Sequence, residues 1–315
     1  MRRFRPSGAD SLTRPGCAQP PSPGREWVRR SLAMLALFAF AAQALAAMTL
    51  GEEILRLQAH ALPDSLSYPP ERYSAVVDSL AAVFDASLPH GASPQQALHA
   101  FFRMTRFFHA HDARRDILAF DLTDGELDCT SLSIFMYDVW SACGDTLDFV
   151  VRERHVFLTD GVLDYDPLQD WCVPADRRWA SAMEVTGGRE LMLSLSERAV
   201  GDWLGAERFA EAETWFARAL QRTPSDPVTL VRWGWLAHLA GDDALAEEKL
   251  RACATLWPDA SHSIYPLGRF LAETGRYDEA RWRLEIARGL AQIEEDERVL
   301  KAIEKVLKTL EENTP

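Results

Sequence analysis

Positive charge is scarce in this 315-residue chain: 34 Lys and Arg stand against 47 Asp and Glu, a formal net charge of −13. The shortage deepens beyond the N-terminus. Residues 1–47 hold seven of the basic residues and only Asp10 and Glu26 as acids, which leaves 27 against 45 and a net charge of −18 for the rest. So acidic a body excludes a nucleic-acid partner, which would need a clustered basic face. An apolar run of membrane length is also missing. The longest, Leu32 to Ala47, has 16 residues, whereas a span needs about 20. Nor is there a metal-ligand pattern. His109-Ala110-His111-Asp112 comes nearest, but one residue between two histidines is poor geometry for a helical site, and no second ligand cluster accompanies it. A solvated helix end is expected there, and neither a metal nor a cofactor is called for. Apolar residues are not lacking: they make up 47% of the chain, with 10 Trp, enough to bury the cores of two ordinary domains.

The N-terminal segment differs in kind from the rest. A basic, Pro- and Gly-rich region, a short apolar stretch and the small-residue triplet Ala44-Leu45-Ala46 read as a secretory signal peptide over residues 1–47. Export to a periplasmic or extracellular location is expected. The alternative is an uncleaved anchor at residues 32–47, the one route by which a membrane enters the reading. Export would place Cys129, Cys143, Cys172 and Cys253 in an oxidising compartment. Cys129 and Cys143 fall on one expected helix, about 21 Å apart along its axis, too far for a disulfide. A bond from Cys129 to Cys172 or Cys253 stays open as the structural alternative to a reactive thiol.

The candidate chemistry lies between these cysteines. From Cys129 the apolar positions Leu132, Phe135, Met136, Val139, Trp140 and Cys143 recur at three- and four-residue steps, one face of a helix. Asp128 suits its N-cap and Gly144 its C-terminal stop. Cys129 then sits in a first turn, where unpaired N–H groups and the helix dipole favour a thiolate. The neighbouring Asp128 charge works against it. Residues 149–159 are β-branched and aromatic, and Asp160-Gly161 predicts a two-residue type I′ hairpin. In that register Thr159 faces Val162, and His155 lies directly opposite Asp166, with Asp164 diagonal to it. Pro167 ends the return strand.

Glu126-Leu127-Asp128-Cys129-Thr130-Ser131-Leu132, His155-Val156-Phe157-Leu158 and Asp164-Tyr165-Asp166-Pro167 resemble the Cys and His–Asp motifs of transglutaminase-like, papain-related cysteine enzymes. The resemblance covers about residues 85–175. It implies an α+β transglutaminase-like or papain-like domain, with Cys129 as nucleophile, His155 as general base and acid, and Asp166 as the orienting carboxylate. No Trp, Gln or Asn precedes Cys129 at an oxyanion spacing, so that role would fall to backbone N–H groups.

Downstream, a 34-residue period aligns Ala212, Ala246 and Ala280, then Phe209, Asp243 and Tyr277, then Phe216, Leu250 and Leu284, then Ala219, Cys253 and Ala287. Gly234 and Gly268 occupy equivalent positions, with Val200 in their place in the first unit. This helix–turn–helix period resembles tetratricopeptide repeats. The implied layout is a signal peptide or anchor at 1–47, a transglutaminase-like domain at 48–190, three repeats at 191–294 as an all-α solenoid, and a capping helix at 295–315. In that family Trp235, His238, Tyr265 and Arg269 would face the concave groove, as anchors for a protein or peptide partner. Two functions remain open at this point: an exported cysteine enzyme acting on amides by hydrolysis or acyl transfer, and a non-catalytic interaction scaffold.

Overall fold

The computed structural model describes residues 48–89, 92–106, 117–152, 155–175 and 185–313. The expected signal peptide at 1–47 and the His109–Asp112 cluster lie outside the described residues. Among the described residues, no helix is long and apolar enough to cross a membrane.

Local signals place the first helices. Helix α1 (Leu50–Gln58) begins after Thr49, whose hydroxyl accepts from Glu52 N. Helix α2 (Pro70–Ser87) starts on a proline, whose absent N–H is no loss in a first turn. Helix α3 (Pro94–Thr105) opens with a reciprocal Ser93–Gln96 capping box. Helix α4 (Leu118–Asp124) stops at Gly125. Helix α5 (Cys129–Ala142) is capped by Asp128, whose carboxylate accepts from Ser131 N at 2.9 Å. It ends in a Schellman arrangement: Gly144 has φ +86°, and Asp145 N donates back to Trp140 O.

Five short strands follow, β1 (Asp148–Arg152), β2 (His155–Thr159), β3 (Leu163–Asp166), β4 (Trp171–Pro174) and β5 (Val185–Gly187). They form one antiparallel sheet in the order β4-β3-β2-β1-β5. Phe149, Val156, Leu158 and Tyr165 share a core with Leu132, Met136, Val139 and Trp140 of α5. Ser133 Oγ donates to Val156 O and ties helix to sheet. On its other side α5 meets α2 and α3, with the Trp140 ring 4.3 Å from Phe84 and 5.7 Å from Phe101.

One polar residue in α5 organises this core. Asp138 is buried and accepts from Leu50 N at 2.9 Å, Gly51 N at 2.8 Å and Tyr73 Oη at 2.8 Å. It thereby caps α1 from 87 residues away and pins α2 in the same contact. Gly51 is needed there, because a Cβ would stand 2.2 Å from the Tyr73 ring.

The C-terminal half is an array of helices: α6 (Arg189–Leu204), α7 (Phe209–Arg222), α8 (Pro227–Leu239), α9 (Asp243–Leu256), α10 (Ser261–Glu273), α11 (Tyr277–Ile293) and α12 (Glu297–Asn313). The aligned residues Ala212, Ala246, Ala280, Phe216, Leu250 and Leu284 are all fully buried. Gly234 lies against Leu250 and Gly268 against Leu284, so close that a Cβ would come within 3 Å of either leucine. In the first pair this close approach belongs to Gly201 against Phe216 rather than to Val200, one residue off the sequence alignment. Packing is continuous across residue 190. Leu57 of α1 clusters with Val200, Leu204, Trp215, Phe216 and Trp233, and Arg189 Nε donates to Glu53 at 2.8 Å.

The expected fold class is therefore corrected. An α+β domain followed by a separate all-α solenoid does not describe residues that, where described, are mostly helical with one small sheet whose strands run three to five residues. The apolar alternation that marked residues 149–159 as strand is local, and says nothing of how much sheet surrounds it.

Candidate active site and partner-facing cluster

The hairpin that carries His155 differs from its sequence expectation. Thr159 pairs with Asp164 and Leu158 with Tyr165, two residues off the predicted register. The Asp160 side chain is the cause. Its Oδ1 accepts from Val162 N at 2.7 Å and Leu163 N at 2.6 Å, while Gly161 takes φ +83° and donates to Thr159 Oγ1. An aspartate that satisfies its own turn in this way holds a wider loop than the two-residue type I′ form. A shift of two residues keeps every side chain on its face of the sheet. Asp166 consequently remains on the His155 face, now as its diagonal neighbour, and His155 Nε2 meets Asp166 Oδ2 at 2.6 Å.

Asp166 is fully buried and its other oxygen is held too, accepting from Leu168 N at 2.9 Å and Gln169 N at 3.0 Å. Trp171 is its partner across the β3–β4 pairing, and the Trp171 ring lies 5.9 Å from that of Phe157, itself 6.0 Å from the His155 ring. The Cys129 thiol, half-buried at the first position of α5, lies close enough to the His155 ring to act on its charge. Burial by itself would lower the imidazole pKa. Hydrogen bonds and charge from Asp166 and Cys129 outweigh it and raise the pKa to about 10. The structure thus brings Cys129 and Asp166 to the same imidazole, with Asp166 bonded to it and both groups favouring its protonated form.

The four described cysteines are free. Burial, then the charges of Asp160 and Asp164, pushes the Cys172 thiol up to about 11; burial, then Asp226, pushes Cys253 up to about 12. Burial holds both in the protonated thiol form. Among the described residues no group of three or more His, Cys, Asp and Glu is placed to hold a metal ion.

Sequence reasoning missed the residues that hold the trio in place. They are the backbone N–H pair at Leu168 and Gln169, the aromatics Phe157 and Trp171, and Asp121 of α4, which is hydrogen-bonded to Ser131 in the first turn of α5. The run Asp166-Pro167 carried a usable signal for the first of these, because Asp before Pro favours a turn closed by the aspartate itself.

The four residues expected to face a partner also come together, between α8 and α10. The Arg269 guanidinium lies 4.3 Å from the Trp235 ring centroid, and Trp235 meets His238 edge-on at 5.7 Å. Tyr265 lies beside Arg269, and burial raises its phenol pKa despite that positive charge. Two acids that the sequence reading omitted complete the cluster. Asp243 bonds His238 Nδ1 at 2.6 Å, and Glu273 bonds Arg269 Nε at 2.7 Å and lies 3.3 Å from His238 Nε2. Tyr265, Trp235 and His238 are half-buried and Arg269 is exposed, so the cluster faces outward.

No protein-family model matches the chain. No curated protein matches it either. Among solved structures it is similar to the crystal structure of menin that reveals the binding site for the Mixed Lineage Leukemia (MLL) protein. The TM-score is 0.53 at 13% identity, over 79% of this chain and 68% of that one. Likeness at that identity speaks for the fold alone. These findings overturn the resemblances drawn from the motifs. Nothing supports a transglutaminase-like or papain-like cysteine-protease family, a tetratricopeptide-repeat family, or the signal peptide. The physical reasons are plain. A Cys–His–Asp constellation is a local geometry that unrelated folds reach independently. A 34-residue period with small residues at close crossings is what stacked helix pairs need for packing, whatever their descent. The chain shares its overall fold with menin, and the family to which it belongs is not shown.

Proposed function

We propose that Cys129, His155 and Asp166 form a thiol-dependent acyl-transfer site acting on amide carbonyls. The observation that carries this reading is the placement of His155 between a buried, doubly anchored carboxylate and a thiol at a helix N-terminus. In such a site the Cys129 thiolate attacks the carbonyl carbon. The imidazolium of His155 donates its proton to the departing amine, leaving a thioester on Cys129. His155, now neutral, takes a proton from an incoming water or amine, which adds to the thioester and regenerates the thiol. Water makes the outcome hydrolysis; an amine makes it transfer. Asp166 keeps the ring oriented and stabilises its charge throughout.

The test is alkylation of Cys129 by iodoacetamide across pH, followed by the mass of the Cys129 peptide. The wild type is expected to label rapidly well below pH 8, and His155→Ala to lose that limb. Labelling that follows an ordinary thiol in both proteins would sink the reading.

A second function is favoured by the outward-facing cluster of Trp235, His238, Tyr265 and Arg269, which offers aromatic and cationic anchors of the kind that dominate protein interfaces. We infer a protein partner there. Menin, similar in fold, has a binding site for the MLL protein, which is consistent with a protein partner in general and names none for this chain. Loss of a captured partner on Arg269→Ala and Trp235→Ala, with Cys129 labelling unchanged, would support it; retention by both would refute it.

A further inference from the structure

The turn between β3 and β4 does more than reverse the chain. Its N–H groups at Leu168 and Gln169 bind Asp166 Oδ1, so its path decides where that carboxylate points. The turn closes at Asp170, which adopts φ +55°, a left-handed conformation uncommon for any residue but glycine. A conformation of that kind persists where the surroundings hold it. Helix α3 supplies the hold. Gln95 Nε2 donates to Asp170 O at 3.3 Å, and His99 Nδ1 meets Asp170 Oδ2 at 2.5 Å. Gln95 and His99 are four residues apart, one turn of the same helix face. The Ser93–Gln96 capping box and Pro94 set where α3 begins, and hence which face these two side chains occupy. From within the turn, Gln169 Oε1 accepts from Trp171 Nε1 at 3.2 Å and adds a further brace.

We propose that His99, assisted by Gln95, is a positioning residue for the Cys129–His155–Asp166 site. It anchors Asp170, Asp170 fixes the turn, the turn aims Asp166, and Asp166 holds the His155 ring toward Cys129. His99 touches neither the thiol nor the imidazole. Its effect is therefore on the alignment and charge of His155, with chemistry left to the trio. The inference rests on the acyl-transfer reading for its consequence in reactivity, but its geometric claim, that α3 controls His155 through Asp170 and Asp166, can be read separately.

Two readouts on the full chain test it, in wild type, His99→Ala, His99→Asn and Gln95→Ala. One is the pH profile of Cys129 alkylation by iodoacetamide. The other is the titration midpoint of the His155 imidazole by NMR, which does not require a reactive thiol. His99→Ala should lower the labelling rate at pH 6 about tenfold and move the His155 midpoint down by about one pH unit, toward the ordinary histidine value near 6.5. His99→Asn, whose amide N–H can take the place of Nδ1, should restore both, and Gln95→Ala should shift both the same way by less. Should His99→Ala cost only thermal stability, with midpoint and labelling profile of the folded protein those of wild type, the inference is overturned. Ordinary-thiol labelling in the wild type would end the acyl-transfer reading instead. The His155 midpoint would then still decide for or against the positioning role.

Discussion

Two regions of the molecule keep their polar groups in opposite ways. Around α5 and the sheet, single carboxylates are buried and each is held by several donors: Asp138 by Leu50 N, Gly51 N and Tyr73 Oη, and Asp166 by His155, Leu168 N and Gln169 N. From α9 to α11 the core is small residues against large ones, and the acids and bases lie near the surface in networks. Arg251 there reaches Glu247 at 2.7 Å and Glu279 at 2.6 Å, while Arg276 reaches Glu247 at 2.5 Å. Water screens the second kind of contact and cannot reach the first. A site that must hold a charged imidazole needs the first kind. A surface offered to a partner is served by the second, because its charges can be re-paired at little cost.

Breaking one carboxylate in the first region should therefore do the most damage. Asp138→Ala leaves three buried donors without their acceptor and is expected to lower stability by about 3–5 kcal/mol in urea denaturation. A loss under 1 kcal/mol would mean that water replaces the carboxylate and that the contrast is misdrawn. In the array, the matching insult is steric. Gly268→Ala drives a methyl into Leu284, with an expected cost of about 1–3 kcal/mol.

The third effect depends on pH. The folded pKa of His155 is raised from 6.5 to about 10, so the stability it contributes is complete below about pH 6.5 and is lost as pH rises toward 10. Wild type should therefore lose melting temperature between those limits, and His155→Ala should lose less; parallel curves would contradict the raised pKa. Asp138 has the same sign by a different cause. Burial raises its pKa to about 6 despite its three donors, so its contribution is greatest in acid and declines as pH rises through 6. The smallest effect is expected from Glu247→Ala, about 0.2–1 kcal/mol, fading with added salt. A larger, salt-independent loss would show that the array's network is not surface-like.

Legibility in the sequence followed the range of each signal. Asp128 as the cap, Cys129 at the first helical position and Gly144 as the stop are read within one turn of the chain, and α5 forms on those terms. The hairpin register was not legible, because the Asp160 side chain competes with the backbone for its own turn. Asp166 nevertheless meets His155, since a two-residue slip preserves the face. Trp235, His238, Tyr265 and Arg269 were found by repeat spacing, whereas Asp243 and Glu273, which bind them, carry no spacing of their own. His99 had no signal at all: its partner Asp170 is 71 residues away. The family labels failed for a related reason, since both rested on local patterns that many tertiary arrangements share.

What the sequence determined by itself is where helices start and stop, which residues are small at close crossings, and that a thiol opens a helix shortly before a histidine-bearing strand. These depend on neighbours within a few residues, through capping bonds, turn preference and side-chain size. The tertiary structure alone decided which polar groups are buried and what holds them: Asp138 under α1, Asp166 across from Trp171, and His155 between Asp166 and the Cys129 thiol. Burial is set by segments far apart in the chain. The strength of a charge contact depends on that burial, so the surroundings of Cys129 became readable only once the chain was folded.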